Sequence, residues 1–271
     1  MNRASSLLLR LVGLATLLLV TVTRASSDVT SALTSQEEAI CGTLAAPVPQ
    51  FAALGGQAGP LRVVAIGSSS TYGMGASSPA HSYVSQLASQ LKTAWPTPAE
   101  VFNRGVNGDT LADIVKRAPR DLYALKPNVV ILQTGTNDAL RNVPAEAYQA
   151  QLQGFVTRLQ ERHIGVILVD NQYLPAQAHA AEFQRIQAAT HAVARLNHVA
   201  LVSRYGLSET LQAQMHMGPE ALLAADGLHP NDTMHACTAK AIEATMVQAF
   251  GADTANLDAA RIGTVKGQPA S

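Results

Sequence analysis

Aromatic residues are scarce in this chain of 271 residues, at 4% of the sequence. A core must therefore come from Ala, Val, Leu and Ile, and the hydrophobic types together do reach 47%. That content is enough to bury a sizeable core and excludes disorder as the main state. Charge is also sparse, at 14%, with 19 basic residues balancing 19 acidic ones and no long run of one sign. A nucleic-acid binder needs a basic face to neutralise phosphates, so no such partner is expected. The two cysteines are too few for a disulfide-framework miniprotein, and no Cys-x-x-Cys pair points to zinc. No internal repeat of solenoid length is present.

Long apolar runs are lacking except at the start. Arg3 and Arg10 form a positive leader, residues 11–22 are apolar or small, and Thr23-Arg24-Ala25 puts small residues where a signal peptidase reads. The run is short for a membrane span of about 20 residues. Residues 1–25 are thus read as a signal peptide, with an uncleaved N-terminal anchor as the alternative. Without them the chain carries a net charge of −3. A periplasmic or secreted location is expected, with no stable membrane span after cleavage.

Residues 26–60 are rich in Ser, Thr, Ala, Gly and Pro and read as an irregular N-terminal segment with one short helix near 36–41. From Leu61 a regular alternation sets in. Short β-branched runs at 62–66, 100–103, 128–133, 165–170 and 199–203 predict strands. Helical spacing covers 80–95, 110–125, 144–162, 178–197, 208–215 and 231–250, with Pro119 inside the second stretch. Strands alternating with helices predict βαβ units, hence one α/β domain over 61–250, a mainly parallel five-stranded sheet covered on both faces. Residues 251–271 read as a loose C-terminal tail.

In an open parallel sheet, ligands bind outside the carboxyl ends of the strands. The residues that follow these strands are Gly67-Ser68-Ser69-Ser70, Gly105-Val106-Asn107-Gly108-Asp109, Gly135-Thr136-Asn137-Asp138 and Asp170-Asn171-Gln172-Tyr173. Asp226-Gly227-Leu228-His229-Pro230 precedes the last helix. An aspartate three residues before a histidine can take its Nδ1–H, which leaves Nε2 free as a base. A serine within reach of that nitrogen becomes a nucleophile. Acyl transfer also needs donors for a developing oxyanion, which the Gly108 N–H and the Asn137 amide can supply.

These blocks, in this order, resemble the SGNH (GDSL-type) hydrolase family, whose four lettered residues fall on Ser69, Gly108, Asn137 and His229. The resemblance covers residues 62–250 and implies a three-layer α/β/α sandwich of flavodoxin-like type. It implies Ser69 as nucleophile, His229 as base and Asp226 as its orienter. By the same resemblance the Ser69 N–H, the Gly108 N–H and the Asn137 side chain form the oxyanion hole. Ser68 stands where the family's first block usually carries aspartate, a form similar to a subgroup of exported bacterial members. The expected activity is hydrolysis of carboxylic esters through an acyl-serine, of esterase, lysophospholipase, thioesterase or deacetylase type. The substrate is then a small-molecule, lipid or glycan ester. A non-catalytic glycan- or lipid-binding module on the same fold and an acyltransferase are the alternatives.

Other residues have narrower readings. Ser68 and Ser70 are turn formers, and Asp109 is a cap for the helix that follows. Tyr72, Asp138 and Tyr173 are candidates to line the pocket, Asp138 equally one to satisfy backbone donors, and Asp170 one to hold loops. The remaining histidines lack metal-ligand spacing and are expected to be solvated or capping, so no metal or cofactor is expected. G-x-G-x-x-G is absent, and Thr71 stands where a G-x-S-x-G elbow needs its last glycine. Cys41 and Cys237 are a candidate disulfide, because paired or absent cysteines are the norm in exported chains.

Overall fold

The computed structural model describes residues 33–43, 60–94 and 98–263. Residues 1–25, read as a signal peptide, lie outside them. The five strands are β1 (Leu61–Gly67), β2 (Ala99–Gly105), β3 (Val129–Gln133), β4 (Gly165–Val169) and β5 (Ala200–Val202). They form one sheet in the order β2-β1-β3-β4-β5, with every neighbouring pair parallel. The helices are α1 (Ser35–Gly42), α2 (Ser69–Tyr72), α3 (Tyr83–Ala94), α4 (Leu111–Asp121), α5 (Thr136–Leu140), α6 (Ala145–Gln160), α7 (Ala181–Leu196), α8 (Arg204–Met215) and α9 (Asp232–Gly263).

The period of two in each strand divides the core. Val64, Ile66, Val130, Leu132, Val166 and Leu168 face the layer made by α4, α6 and α7. Val63, Ala65, Val129, Ile131, Ile167 and Val169 face α3 and α9. Each face is sealed by helical stripes, such as Tyr83, Val84, Leu87 and Leu91 on α3. Both faces are therefore buried, which is why the strands read as apolar runs rather than alternating ones. The architecture is the expected three-layer α/β/α sandwich. A smaller cluster of Ile40, Cys41, Leu211, Leu222, Met234 and Cys237 attaches α1 to α8 and α9, and Cys41 and Cys237 form a disulfide there.

Several boundaries depart from the sequence reading. The helix expected from residue 80 starts at Tyr83, because Pro79–His81 forms a separate 3-10 turn. The helix expected over 110–125 ends at Asp121: Pro119 has no N–H to continue the ladder, and a 3-10 turn follows. α8 starts at Arg204 rather than residue 208, capped by the Ser203 hydroxyl, which accepts from Gly206 N–H. The last helix continues to Gly263, so residues 251–263 are helical rather than a loose tail. The two short helices α2 and α5 have no counterpart in the pattern, since four or five residues carry too little periodicity.

The order of the strands matters for the site. β1 and β3 are neighbours, yet β2 lies between them in the chain, so connections leave them toward opposite sides. Open α/β sheets place their ligands at such a switch point, at the carboxyl ends of the strands. Ser69 follows β1 and Asn137 follows β3 there.

Candidate active site

β1 ends in Gly67, where a Cβ would overlap Thr71 Oγ1 and lie 2.8 Å from the Gln133 carbonyl oxygen. Absence of a side chain lets the chain turn sharply into α2. Gln133, at the end of β3, then organises the turn: its Oε1 accepts from Ser68 N–H at 2.9 Å, Ser68 Oγ at 3.1 Å and Thr71 Oγ1 at 3.0 Å. Ser68 is buried, and it meets an amide acceptor where an aspartate would meet donors. This arrangement fixes the direction in which the half-buried Ser69 leaves the turn.

His229 approaches from the loop before α9. Its Nε2 lies 3.0 Å from Ser69 Oγ, and its Nδ1 lies 2.6 Å from Asp226 Oδ2. Asp226 Oδ1 also accepts from the N–H groups of Leu228 and His229, both at 2.9 Å. The His229 contact, followed by these backbone bonds, holds the Asp226 carboxyl down at about 2. Asp226 is therefore an anion at any working pH, an acceptor that selects Nδ1–H and leaves Nε2 toward Ser69. The Asp226 side chain is 47% exposed and that of His229 14%, so the carboxylate faces water while the imidazole is largely buried.

The oxyanion candidates converge from β1, β2 and β3. Gly108 takes φ +82°, a conformation that favours glycine, and its carbonyl accepts from Arg141 Nη2 at 2.7 Å. Asn137 Nδ2 donates to the Asp109 carbonyl at 2.9 Å. That bond uses one of the two amide hydrogens and orients the other. The Ser69 N–H opens α2 and has no acceptor within the helix. Arg117 braces this corner, donating to the Gly67 carbonyl at 2.9 Å and pairing with Asp109 at 2.6 Å.

Other expected positions resolve differently. Asp109 pairs with Arg117 instead of capping; the cap of α4 is Thr110, in a reciprocal box with Asp113. Asp138 is buried and accepts from Leu111 N–H at 3.0 Å and Gly135 N–H at 3.3 Å, so it holds two turns and does not line a pocket. Burial raises its carboxyl above the usual range. Tyr72 is exposed beside the Ser69 turn, whereas the Tyr173 ring packs on Tyr205 at 5.2 Å and serves the core. Asp170 does hold loops, accepting from Ser203 Oγ at 2.6 Å and meeting His191 Nε2 at 2.8 Å. A cavity of about 490 Å³ between α1, β5, α8 and α9 has none of the Ser69 cluster in its lining.

His235 is neither solvated nor a simple surface cap. It is buried, accepts from Tyr83 N–H at Nδ1 (3.2 Å) and donates from Nε2 to the Met74 carbonyl at 3.1 Å. Burial pushes its imidazole down to about 4. The unfolded chain, at about 6.5, binds a proton that the folded chain refuses between these values. The contribution is complete above pH 6.5 and disappears as pH falls toward 4, roughly 3 kcal/mol in all. Thermal melts between pH 7 and 4 should show this slope, and His235→Gln should flatten it. An equal slope in the variant would assign the acid loss to other groups.

The model of the non-GDSL lipase-like family matches residues 36–252. The chain belongs to that family. Among curated relatives of this lipase-like protein, an acetylxylan esterase of Geobacillus stearothermophilus is 24% identical over 176 residues, 59% of this chain and 78% of its own. Esterase TesA of Pseudomonas aeruginosa is 28% identical over 134 residues, 48% of this chain and 61% of its own. A lipase/acylhydrolase from Enterococcus faecalis shares the fold, with a TM-score of 0.60 at 21% identity over 69% of this chain and 95% of its own. The lipase-like family and its esterase relatives mark an ester-bond hydrolase.

Proposed function

We propose that this ester-bond hydrolase works through an acyl-serine formed on Ser69, with His229 as general base and acid and Asp226 as its orienter. The observation that carries the reading is the unbroken line Ser69 Oγ, His229 Nε2, His229 Nδ1, Asp226 Oδ2, with contacts of 3.0 and 2.6 Å. Ser69 Oγ attacks the ester carbonyl carbon and its proton passes to Nε2. The oxyanion meets the N–H groups of Ser69 and Gly108 and the Asn137 amide. The alkoxide leaves with the proton from His229. Water then attacks the acyl-serine, its proton passing to His229, and the acid departs as Ser69 recovers its hydrogen.

Carboxylic esters are the substrate class, and the match to an acetylxylan esterase supports acetyl groups among the acyl groups accepted. Nitrophenyl esters from acetyl to palmitoyl measure the acyl preference, and turnover of the acetyl ester is expected. No turnover of any chain length would sink the reading, and activity lost to EDTA and restored by zinc would replace it with a metal mechanism. We also propose that the protein is exported, on the strength of the leader-like residues 1–25 and the Cys41–Cys237 disulfide. Among the described residues no helix is long and apolar enough to cross a membrane.

Asp226→Asn tests the orienting role. The amide can present N–H to Nδ1, which favours the tautomer with hydrogen on Nε2, facing Ser69. A buried orienter lost in this way costs about 10⁴-fold. Asp226 is exposed to water, so a loss of roughly 10²-fold in kcat with little change in KM is expected. An unchanged kcat would remove Asp226 from the machinery.

A further inference from the structure

Gln172 follows β4 and is 4% exposed. Its Oε1 accepts from Ser70 Oγ at 2.9 Å. Its Nε2 donates to the Leu228 carbonyl. Its backbone N–H reaches Thr136 Oγ1 at 3.4 Å. Ser70 adjoins Ser69, Leu228 adjoins His229 and Thr136 adjoins Asn137. One buried residue thus joins the turns that carry the nucleophile, the base and the oxyanion amide.

A buried glutamine is costly unless both ends of its amide are bonded. An apolar residue of the same size would fill this space without that demand. What the glutamine adds is a fixed spacing between two turns 160 residues apart in the chain, those of Ser69 and His229. Other contacts join the two segments farther along the chain: His235 Nε2 donates to the Met74 carbonyl, Ser77 N–H and Oγ donate to Asp232, and Gly75 packs on His229 and Pro230 too closely for a side chain to fit. The Gln172 amide bonds directly beside Ser69 and His229. The Ser69 turn is organised from Gln133, on β3, and the His229 loop closes on itself through Ala224 N–H to the His229 carbonyl at 2.8 Å. The amide orientation follows from its partners: the Leu228 carbonyl accepts only, so the nitrogen must face it.

We infer that Gln172 is a positioning residue for ester hydrolysis, its side-chain amide setting the separation of Ser69 and His229. The inference rests on the reading of Ser69 and His229 as nucleophile and base. Gln172 touches no reacting atom. It acts on the acylation step, in which Ser69 Oγ must meet the carbonyl carbon while its proton meets Nε2.

Three variants test this, with rates of fluorophosphonate labelling, kcat and KM measured beside the melting temperature. Gln172→Leu keeps the volume and removes both bonds. Gln172→Glu keeps an acceptor for Ser70 and removes the donor to Leu228. Displacement of a reacting group by about 1 Å costs on the order of 10²-fold, so both should lose roughly 10- to 100-fold in labelling rate and kcat with KM within about two-fold. Ser70→Ala, which leaves the packing intact, cuts one arm only and should lose a smaller factor in the same two rates. Folded Gln172 variants that label at the wild-type rate, or that lose activity through KM alone, overturn the inference. If neither Gln172 variant folds, a wild-type labelling rate in Ser70→Ala overturns it. Wild-type protein that takes no label at all fails the serine reading itself and the inference with it; a labelled wild type beside equally labelled variants fails only the inference.

Discussion

Ser69→Ala should lose nearly all turnover, on the order of 10³-fold or more, while substrate still binds. In the proposed mechanism the alanine removes the oxygen that carries the acyl group, so the loss falls on kcat. The residual rate is what Gly108, Asn137 and binding supply without a covalent intermediate. The same substitution at Ser70 is expected to cost much less, because its Oγ is buried and bonded to Gln172, whereas Ser69 Oγ meets His229. Steady-state kinetics on both variants distinguish the two. If Ser70→Ala is the inactive one, the nucleophile has been placed one residue too early.

Loss of the Cys41–Cys237 bond should be the largest single change in stability. It closes a loop of 196 residues, for which the chain-entropy argument gives about 5 kcal/mol. That figure is a ceiling, since any structure left in the reduced unfolded chain lowers it. Both cysteines are fully buried, among Ile40, Leu211, Leu222 and Met234, so Cys41→Ser also puts a hydroxyl among apolar groups. The bond ties α1 to α9, the helix that starts just after His229. Denaturant unfolding of oxidised and reduced protein gives the difference in stability, and activity should fall with the fold rather than ahead of it. Thiol titration of the denatured, unreduced protein should find none, and two titratable thiols per chain would contradict the bond.

The strands were legible because a parallel sheet buried on both faces writes itself as short apolar runs, as in residues 129–132 and 165–169. The Asp226–His229 pair was legible for a different reason. Its geometry is local, three residues within one turn, and spacing alone brings an acid to Nδ1. Ser69 could be reached from its place after β1. The supporting residues were hidden because their partners are remote in sequence. Gln133 lies 65 residues from Ser68, and Gln172 lies 102 from Ser70. A glutamine that closes an apolar strand, or follows one, is the available signal, and it says only that something polar is needed there. Asp109 shows the opposite failure. Its place before a helix suggests a cap, but Arg117, two turns along α4, claims it for an ion pair. The start of α8 was displaced for a similar reason: buried Arg204 donates to the Asp170 carbonyl at 2.7 Å, a contact no helical period announces.

In the proposed mechanism one serine, Ser69, carries the acyl group. Fluorophosphonate captures a serine only where a base activates it, so the adduct reports nucleophile and base together. Peptide mapping of the labelled wild-type protein by mass spectrometry locates the adduct directly. A single adduct on Ser69 is expected, absent in Ser69→Ala and strongly reduced when His229 is replaced. An adduct on Ser70 or another residue, or ester hydrolysis by a protein that takes no adduct at all, would contradict it.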